Sequence, residues 1–314
     1  MVGSDSDNNL GLVLKDNNKP LVLVGHTKIN GNASLPKRGV KSGNIAGNSY
    51  YNEKYIYGTT TVSQDLPKLN GDILSNIKSI TSSKPLDFKN LNQFDLHTKK
   101  KHVNDFKNKP KLFYSNSEIF LADISVTGNF YIQSATKISV DASANLTDVI
   151  LVAPEVEIKN NVKGTFQVFA TKNIVVAERV ILKYPSTLVL QSDYQQQQQQ
   201  SNKNSNKNSI VVADHSEVQG NILVLGKTQA NNYDEQIKIY PSAIIKGSIY
   251  CEQNLELRGT VYGTVYTDNF IIKEAGSTYQ NHLFNAIINS KKLEPEYIGL
   301  PFEESSKGIA KWLY

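Results

Sequence analysis

Between residues 120 and 182 the chain places an apolar side chain at every sixth position. Phe120, Val126, Ile132, Ile138, Ala144, Ile150, Val156, Val162, Val168, Ile174 and Val180 follow one another with no polar interruption. Two residues beyond most of them stands a second small or apolar residue: Ala122, Gly128, Val140, Leu146, Val152, Ile158, Gly164, Ala170, Val176 and Leu182, with Ser134 the exception. An α-helix would repeat near 3.6 residues, and one long half-buried strand would alternate without a break. A pattern that alternates for three residues, turns, and starts again predicts an all-β fold. Specifically, it predicts a single-stranded, three-sided parallel β-helix, a β-solenoid of about 18 residues per coil. On that reading Ile138, Val156 and Ile174 lie directly above one another. Val and Ile suit such a wall because they are stiff at χ1 and pack well on a pleated surface.

The count breaks at Tyr184-Pro185-Ser186, where proline cannot donate to a ladder, and resumes two residues late at Leu188 and Leu190. QSDYQQQQQQSNKNSNKNS, residues 191–209, has nothing apolar to bury and reads as a disordered loop extruded from a corner. Coils resume at Ile210, Val218 and Ile222 and pass a second polar loop at 227–236. Then Ile237, Ala243, Ile249, Leu255 and Val261 count in sixes again, each followed at i+2 by Ile239, Ile245, Cys251, Leu257 and Gly263. Cys251 therefore points inward as a small buried hydrophobe.

Four segments follow from this. Residues 1–62 keep the texture less regularly (Leu23, Ile29, Leu35, Val40, Ile45) and form irregular β-helix coils that cap the column. Residues 63–116 keep no sixes and are a basic, partly helical insertion lying along the outside or over one end. Within it LNGDILSNIKSI starts a helix near Asn70 with Ile73, Ile77 and Ile80 on one face. Residues 117–276 are the β-helix. Residues 277–314 lose the period after Ile272 but keep Leu283, Phe284, Ile287, Ile298, Phe302 and Trp312 as anchors for a C-terminal capping tail, with the terminal KWLY free for a partner.

Composition narrows the chemistry. Lys and Arg number 34 against 29 Asp and Glu, a net charge of +5 that is no nucleic-acid signature. One cysteine excludes an intrachain disulfide and a cysteine-rich zinc site. The chain has no apolar run of membrane-helix length, and no basic-then-apolar leader opens it. It reads as cytoplasmic or as the soluble part of an envelope-anchored protein, with a membrane reached only through an anchor outside the chain or the basic loop.

The stretch SAIIKGSIYCEQNLELRGTVYGTVYTDNFIIKEAG (242–276) resembles the bactofilin repeat through Ile245-Lys246-Gly247-Ser248-Ile249 and Val261-Tyr262-Gly263-Thr264-Val265, with a looser echo at 28–47. The resemblance implies a right-handed coil and a bacterial scaffold that polymerises end to end without nucleotide. This chain departs from the family in its size, its long inserts and its extended tail. It is also similar to envelope-associated proteins of the Bacteroidetes.

β-Helices also carry polysaccharide-cleaving sites, which need converging carboxylates on an outer face. The outward acids here, Asp141, Asp148, Glu155, Glu157, Glu178 and Glu217, are dispersed, and a solvated face explains them. Asp214-His215 are neighbours on a strand and so point to opposite faces. His26, His97, His102 and His282 have no metal-binding spacing, and no nucleophile-elbow, Walker or dinucleotide motif occurs. Left-handed β-helix acyltransferases count in sixes too but want a small residue at i+4, where this chain has Asp148, Pro154, Asn160, Phe166 and Lys172. The expectation is therefore no catalytic site, no cofactor and no metal.

Candidate partner contacts remain. LHTKKKHVNDFKNKPK (96–111) gathers six lysines, Lys99, Lys100 and Lys101 among them, and fits an anionic surface as well as a solvated loop. Tyr262 and Tyr266, with the cluster Tyr50, Tyr51, Tyr55 and Tyr57, could contact sugar or protein, though strand propensity alone accounts for many tyrosines. Trp312 completes the set. The leading expectation is a non-catalytic structural or assembly protein acting through self-association or a protein partner. A module binding surface polysaccharide or an envelope protein comes second, and a polysaccharide-active enzyme a distant third.

Overall fold

The computed structural model describes all residues except 1, 6–8, 83–85, 87–91, 193–207, 227–230, 295–296, 304–306 and 310–314. The polar loop expected at 191–209 and the anchor Trp312 fall almost wholly or wholly among these. The chain is all-β, 56% strand against 6% helix, and its main sheet is parallel.

Strand registers follow the period in the sequence. Ile138 pairs with Val156 and Val156 with Ile174, each 18 residues on, and all three are buried. Along a second ladder Leu146 pairs with Gly164 and Gly164 with Leu182, again 18 apart. The long strands Lys163–Val176 and Ile244–Leu257 each pair along two ladders. With Ile181–Gln191, Ser209–Val212, Glu217–Leu225 and Ile237–Ile239 they close a ring of six parallel strands. One continuous aliphatic core fills the interior, Cys251 within it as expected.

The count in sixes fails at two positions. Phe120 is 53% exposed while Ile119 and Leu121 are buried. Ile150 turns half outward while Val149 and Leu151 point in. In the second case a bulge between Thr147 and Val149, with Asp148 at φ 59, slips the register by one residue. Because side chains alternate, a one-residue slip exchanges the faces. At Tyr184-Pro185 the peptide is cis, and the ladder jumps between Leu182 and Ser186.

The order of coils along the column is not the order of the chain. The N-terminal strands stack on the C-terminal end: Leu12–Leu14 pairs with Val265–Thr267, Leu23 with Leu283, and Ile29 with Ile288. Ser277–Gln280 folds back antiparallel on Ile271–Glu274, and residues 282–289 are a coil within the column rather than its cap, because Leu283 and Ile288 are themselves covered by the next coil. The tail beyond them runs down the outside wall. Its end pairs with the N-terminal strand, where Val2–Asp5 lies antiparallel to Ile298–Gly299 and Lys307–Ile309.

The chain must therefore travel from the far end back to the first coil, and the described residues 63–82 and Leu86 lie along that strap. Its helix α1, Gly71–Ile80, begins where Asn70 Oδ1 accepts from the Asp72 N–H at 3.0 Å, and it buries Ile77. The strap covers a row of outward apolar residues in ladder register: Val152, Phe169, Val189, Leu223, Tyr250, Tyr266 and Val13. Leu69, Ile77 and Leu86 of the strap and Leu300 and Phe302 of the tail complete this second core. This one wall is apolar on both faces, so its strands read as unbroken runs (VFA, LVL, ILV, IYC) rather than alternations. Lys101–Asn104 and Lys111–Ser115 already pair with Ser125–Gly128 and Phe130–Ser134, so the latter half of the expected insertion is the first coil.

Candidate functional site

At the first-coil end the bore is closed by side chains. Leu96 is buried in the core, and Phe94 packs on Phe130 at 4.8 Å and on His102 at 5.4 Å. His102 Nε2–H donates to the carbonyls of Leu96 (3.0 Å) and Lys99 (2.9 Å), fixing the turn that carries Leu96. Among the described residues, the strands Lys101–Asn104 and Ile119–Leu121 are paired on one side only. Their outer edge carries Val103, 62% exposed, and Phe120, over whose ring Lys159 sits at 4.4 Å. Lys99, Lys100 and Lys101 surround this edge and are all exposed.

The far end repeats the arrangement. Leu35, Val40, Tyr50 and Ile56 close the bore, and burial raises the Tyr50 phenol above its ordinary value. The strands Val40–Ser42, Ile56–Tyr57 and Thr60–Val62 are likewise paired on one side only among the described residues. Val62 is 68% exposed. The expected tyrosine cluster gathers here: Tyr51 stacks on His26 at 5.0 Å and Tyr50 tilts against Tyr55 at 5.5 Å. Lys41 lies in the edge strand and is exposed, as Lys101 is at the other end. Lysine on an open edge discourages indiscriminate strand addition.

The two tyrosines expected as contacts separate. Tyr266 is only 9% exposed because Phe302 of the tail lies over it at 5.0 Å, so the chain's own tail takes the contact expected for a partner. Tyr262 is half-buried on the outer wall, with Lys292 over its ring at 5.3 Å. It lines a groove to which sequence reasoning gave no other member.

Several acids on the wall are paired with a neighbouring cation. Glu157 contacts Lys137, whose ammonium is raised by that bond, and Glu217 accepts from Lys246 at 2.7 Å. Burial works to raise the Glu217 carboxyl, but the bonds from Lys246 and Gln219 outweigh it and hold it below its ordinary value. Glu256 is buried between Lys238 (3.3 Å) and Arg258 (2.8 Å), and Arg258 reaches on to Glu274 at 2.8 Å. Asp234 and Glu235 share Lys273. Asp214 and His215 lie in a turn rather than on a strand; the Asp214 carboxylate accepts from the Ser242 N–H at 2.8 Å, and His215 is exposed. Burial pushes the Cys251 thiol up to about 12, so it is not a nucleophile at neutral pH. Among the described residues, no group of three or more His, Cys, Asp or Glu side chains could hold a metal ion. No described helix is long and apolar enough to cross a membrane.

No protein-family model, curated protein or solved structure matches the chain.

Proposed function

We propose that this chain is a non-catalytic structural protein, a rigid column that acts through protein–protein contacts at its two ends. The finer reading of the fold belongs to the same proposal: a three-sided parallel β-helix, which the 18-residue spacing of the paired registers supports, right-handed and bactofilin-like by the resemblance of residues 242–276. The observation that carries the function is the pair of one-sided edges, each with an exposed aliphatic residue, on a column whose bore is plugged. A plugged bore offers nothing to a substrate, whereas the strands of Val62, Val103 and Phe120, paired on one side only among the described residues, offer a ladder to another chain.

Light scattering of the intact chain over a range of concentration and salt tests this. Lysines at both edges oppose end-to-end contact at low ionic strength, so oligomers are expected to grow with concentration and with added salt. Val62→Lys together with Val103→Lys is expected to hold the protein monomeric with its thermal transition unchanged. A monomer under every condition, or oligomers indifferent to both substitutions, refutes end contacts between copies. Retention of an acidic partner by the first-coil end, abolished by Lys99→Glu and Lys101→Glu, would move the contact to a different protein.

A further inference from the structure

The outer wall carries a groove of about 390 Å³ lined by Tyr184, Gln219, Lys246, Tyr262, Lys292, Leu293, Glu294 and Tyr297. One side is a ladder row: Gln219 is in register with Lys246, and Lys246 with Tyr262, so their side chains rise along the column at about 4.8 Å per coil. The other side is the tail, pegged to the wall by Tyr297. The Tyr297 hydroxyl accepts from the Ser248 N–H at 3.0 Å and is bonded to Asn221 Oδ1, and its ring tilts against Tyr184 at 5.5 Å. The Tyr184 hydroxyl in turn accepts from the Ile298 N–H. The peg has room because Gly247 sits beneath it; a Cβ there would lie 2.8 Å from the Tyr297 hydroxyl. Column and tail thus build a cleft between themselves with its walls fixed by hydrogen bonds, and its volume is that of a small-molecule site.

We infer that this groove binds a neutral, extended oligosaccharide, a site additional to the end contacts proposed above. Three features select that chemistry. The lining is tyrosine ring, leucine and lysine stem, which suits the apolar C–H face of a pyranose. The rim alternates charge without a surplus: Lys246 stands opposite Glu217 and Lys292 beside Glu294, so a phosphate or polyanion gains nothing over a neutral ligand. The wall strands here are already paired on both sides, so a peptide finds no edge to extend. Hydroxyls of a glycan can still accept from the remaining N–H groups of the two ammonium groups and donate to the Glu294 carboxylate. The exposed arm of Lys292 rests over Tyr262 and swings off its ring to admit the sugar. A repeat of one side chain per coil matches a ligand whose units are each about as long as one sugar ring.

The test is calorimetric titration of the intact chain with cellohexaose, chitohexaose and maltohexaose at a concentration where the protein is monomeric. Saturable heat is expected with at least one. Tyr262→Ala and Lys292→Ala, chosen because neither is a peg of the tail, are each expected to weaken it by about tenfold. Tyr233→Ala, at an exposed tyrosine away from the groove, leaves binding and melting as they were. The inference is overturned if none of the three sugars gives saturable heat, or if Tyr262→Ala and Lys292→Ala both bind as the parent does. A proline-rich decapeptide saturating the groove in their place also overturns it. Because the readout is taken on monomer, its failure leaves the end contacts untouched, and theirs leaves it untouched.

Discussion

Replacing Gly247 by alanine probes the corner on which the repeat V/I-x-G-x-I/V depends. Gly247 has φ +148, a backbone conformation that residues with a Cβ rarely adopt, and strain there costs about 1–3 kcal/mol. A Cβ would also lie 2.0 Å from the carbonyl oxygen of Gly220 one coil away, as well as against the Tyr297 hydroxyl. That oxygen is backbone, fixed by the ladder, so the two coils must part, losing hydrogen bonds worth about 1 kcal/mol each. Together these terms put the loss at about 4 kcal/mol. Gly39 is the control: its φ is +68 but a Cβ there meets nothing within 4 Å, so alanine costs only the left-handed backbone term, about 1–2 kcal/mol. Urea denaturation followed by far-ultraviolet circular dichroism measures both. Equal losses for Gly247→Ala and Gly39→Ala would refute the claim that close approach between coils, rather than backbone conformation alone, demands glycine at this corner.

Two further outcomes follow from the strap and the ion pairs. Ile77→Ala removes the buried anchor of α1 from the outer apolar row and is expected to cost about 2–4 kcal/mol, with new proteolytic cleavage within 63–86; an unchanged digestion pattern would mean that the row does not hold the strap. At Glu235 burial raises the carboxyl, but the bond from Lys273 at 2.7 Å, a backbone hydrogen bond and the charges of Lys273 and Lys238 together outweigh it and lower the folded value. Stability from this pair is therefore full above the ordinary glutamate range, about 4.3, and is lost as pH falls through the lower folded value. Melting temperature against pH should drop on acidification, and Glu235→Gln should flatten part of that drop; a parallel curve would remove the pair as its source.

The period of six fixed the fold class and most of the core. Ile138, Val156 and Ile174 stack because side chains on a strand alternate, and a wall that turns every few residues can bury only those that recur with it. Cys251 and the start of α1 at Asn70 were legible for equally local reasons, inward parity in one case and a capping side chain in the other. The candidate contacts were legible less well. Lys99, Lys100 and Lys101 are exposed at an edge, but nothing in their charge said that the edge was the first coil. The signal for the buried Tyr266 was present in the unbroken runs VFA, LVL, ILV, IYC and VYT, which mark a wall covered on both faces.

What local pattern could not supply was which coil follows which. Residues 10–62 are stacked on residues 265–289 because aliphatic coils at both places present equivalent ladders, and a ladder accepts any strand of matching register whatever its distance along the chain. Only the tertiary structure chose that pairing over stacking on the first coil, and the choice required a strap, buried Tyr266 beneath the tail, and opened the groove at Tyr262. The sequence by itself determined the parallel β class and the 18-residue spacing of the core. The order of its layers, and with it every candidate surface, was decided by contacts between residues some 250 positions apart.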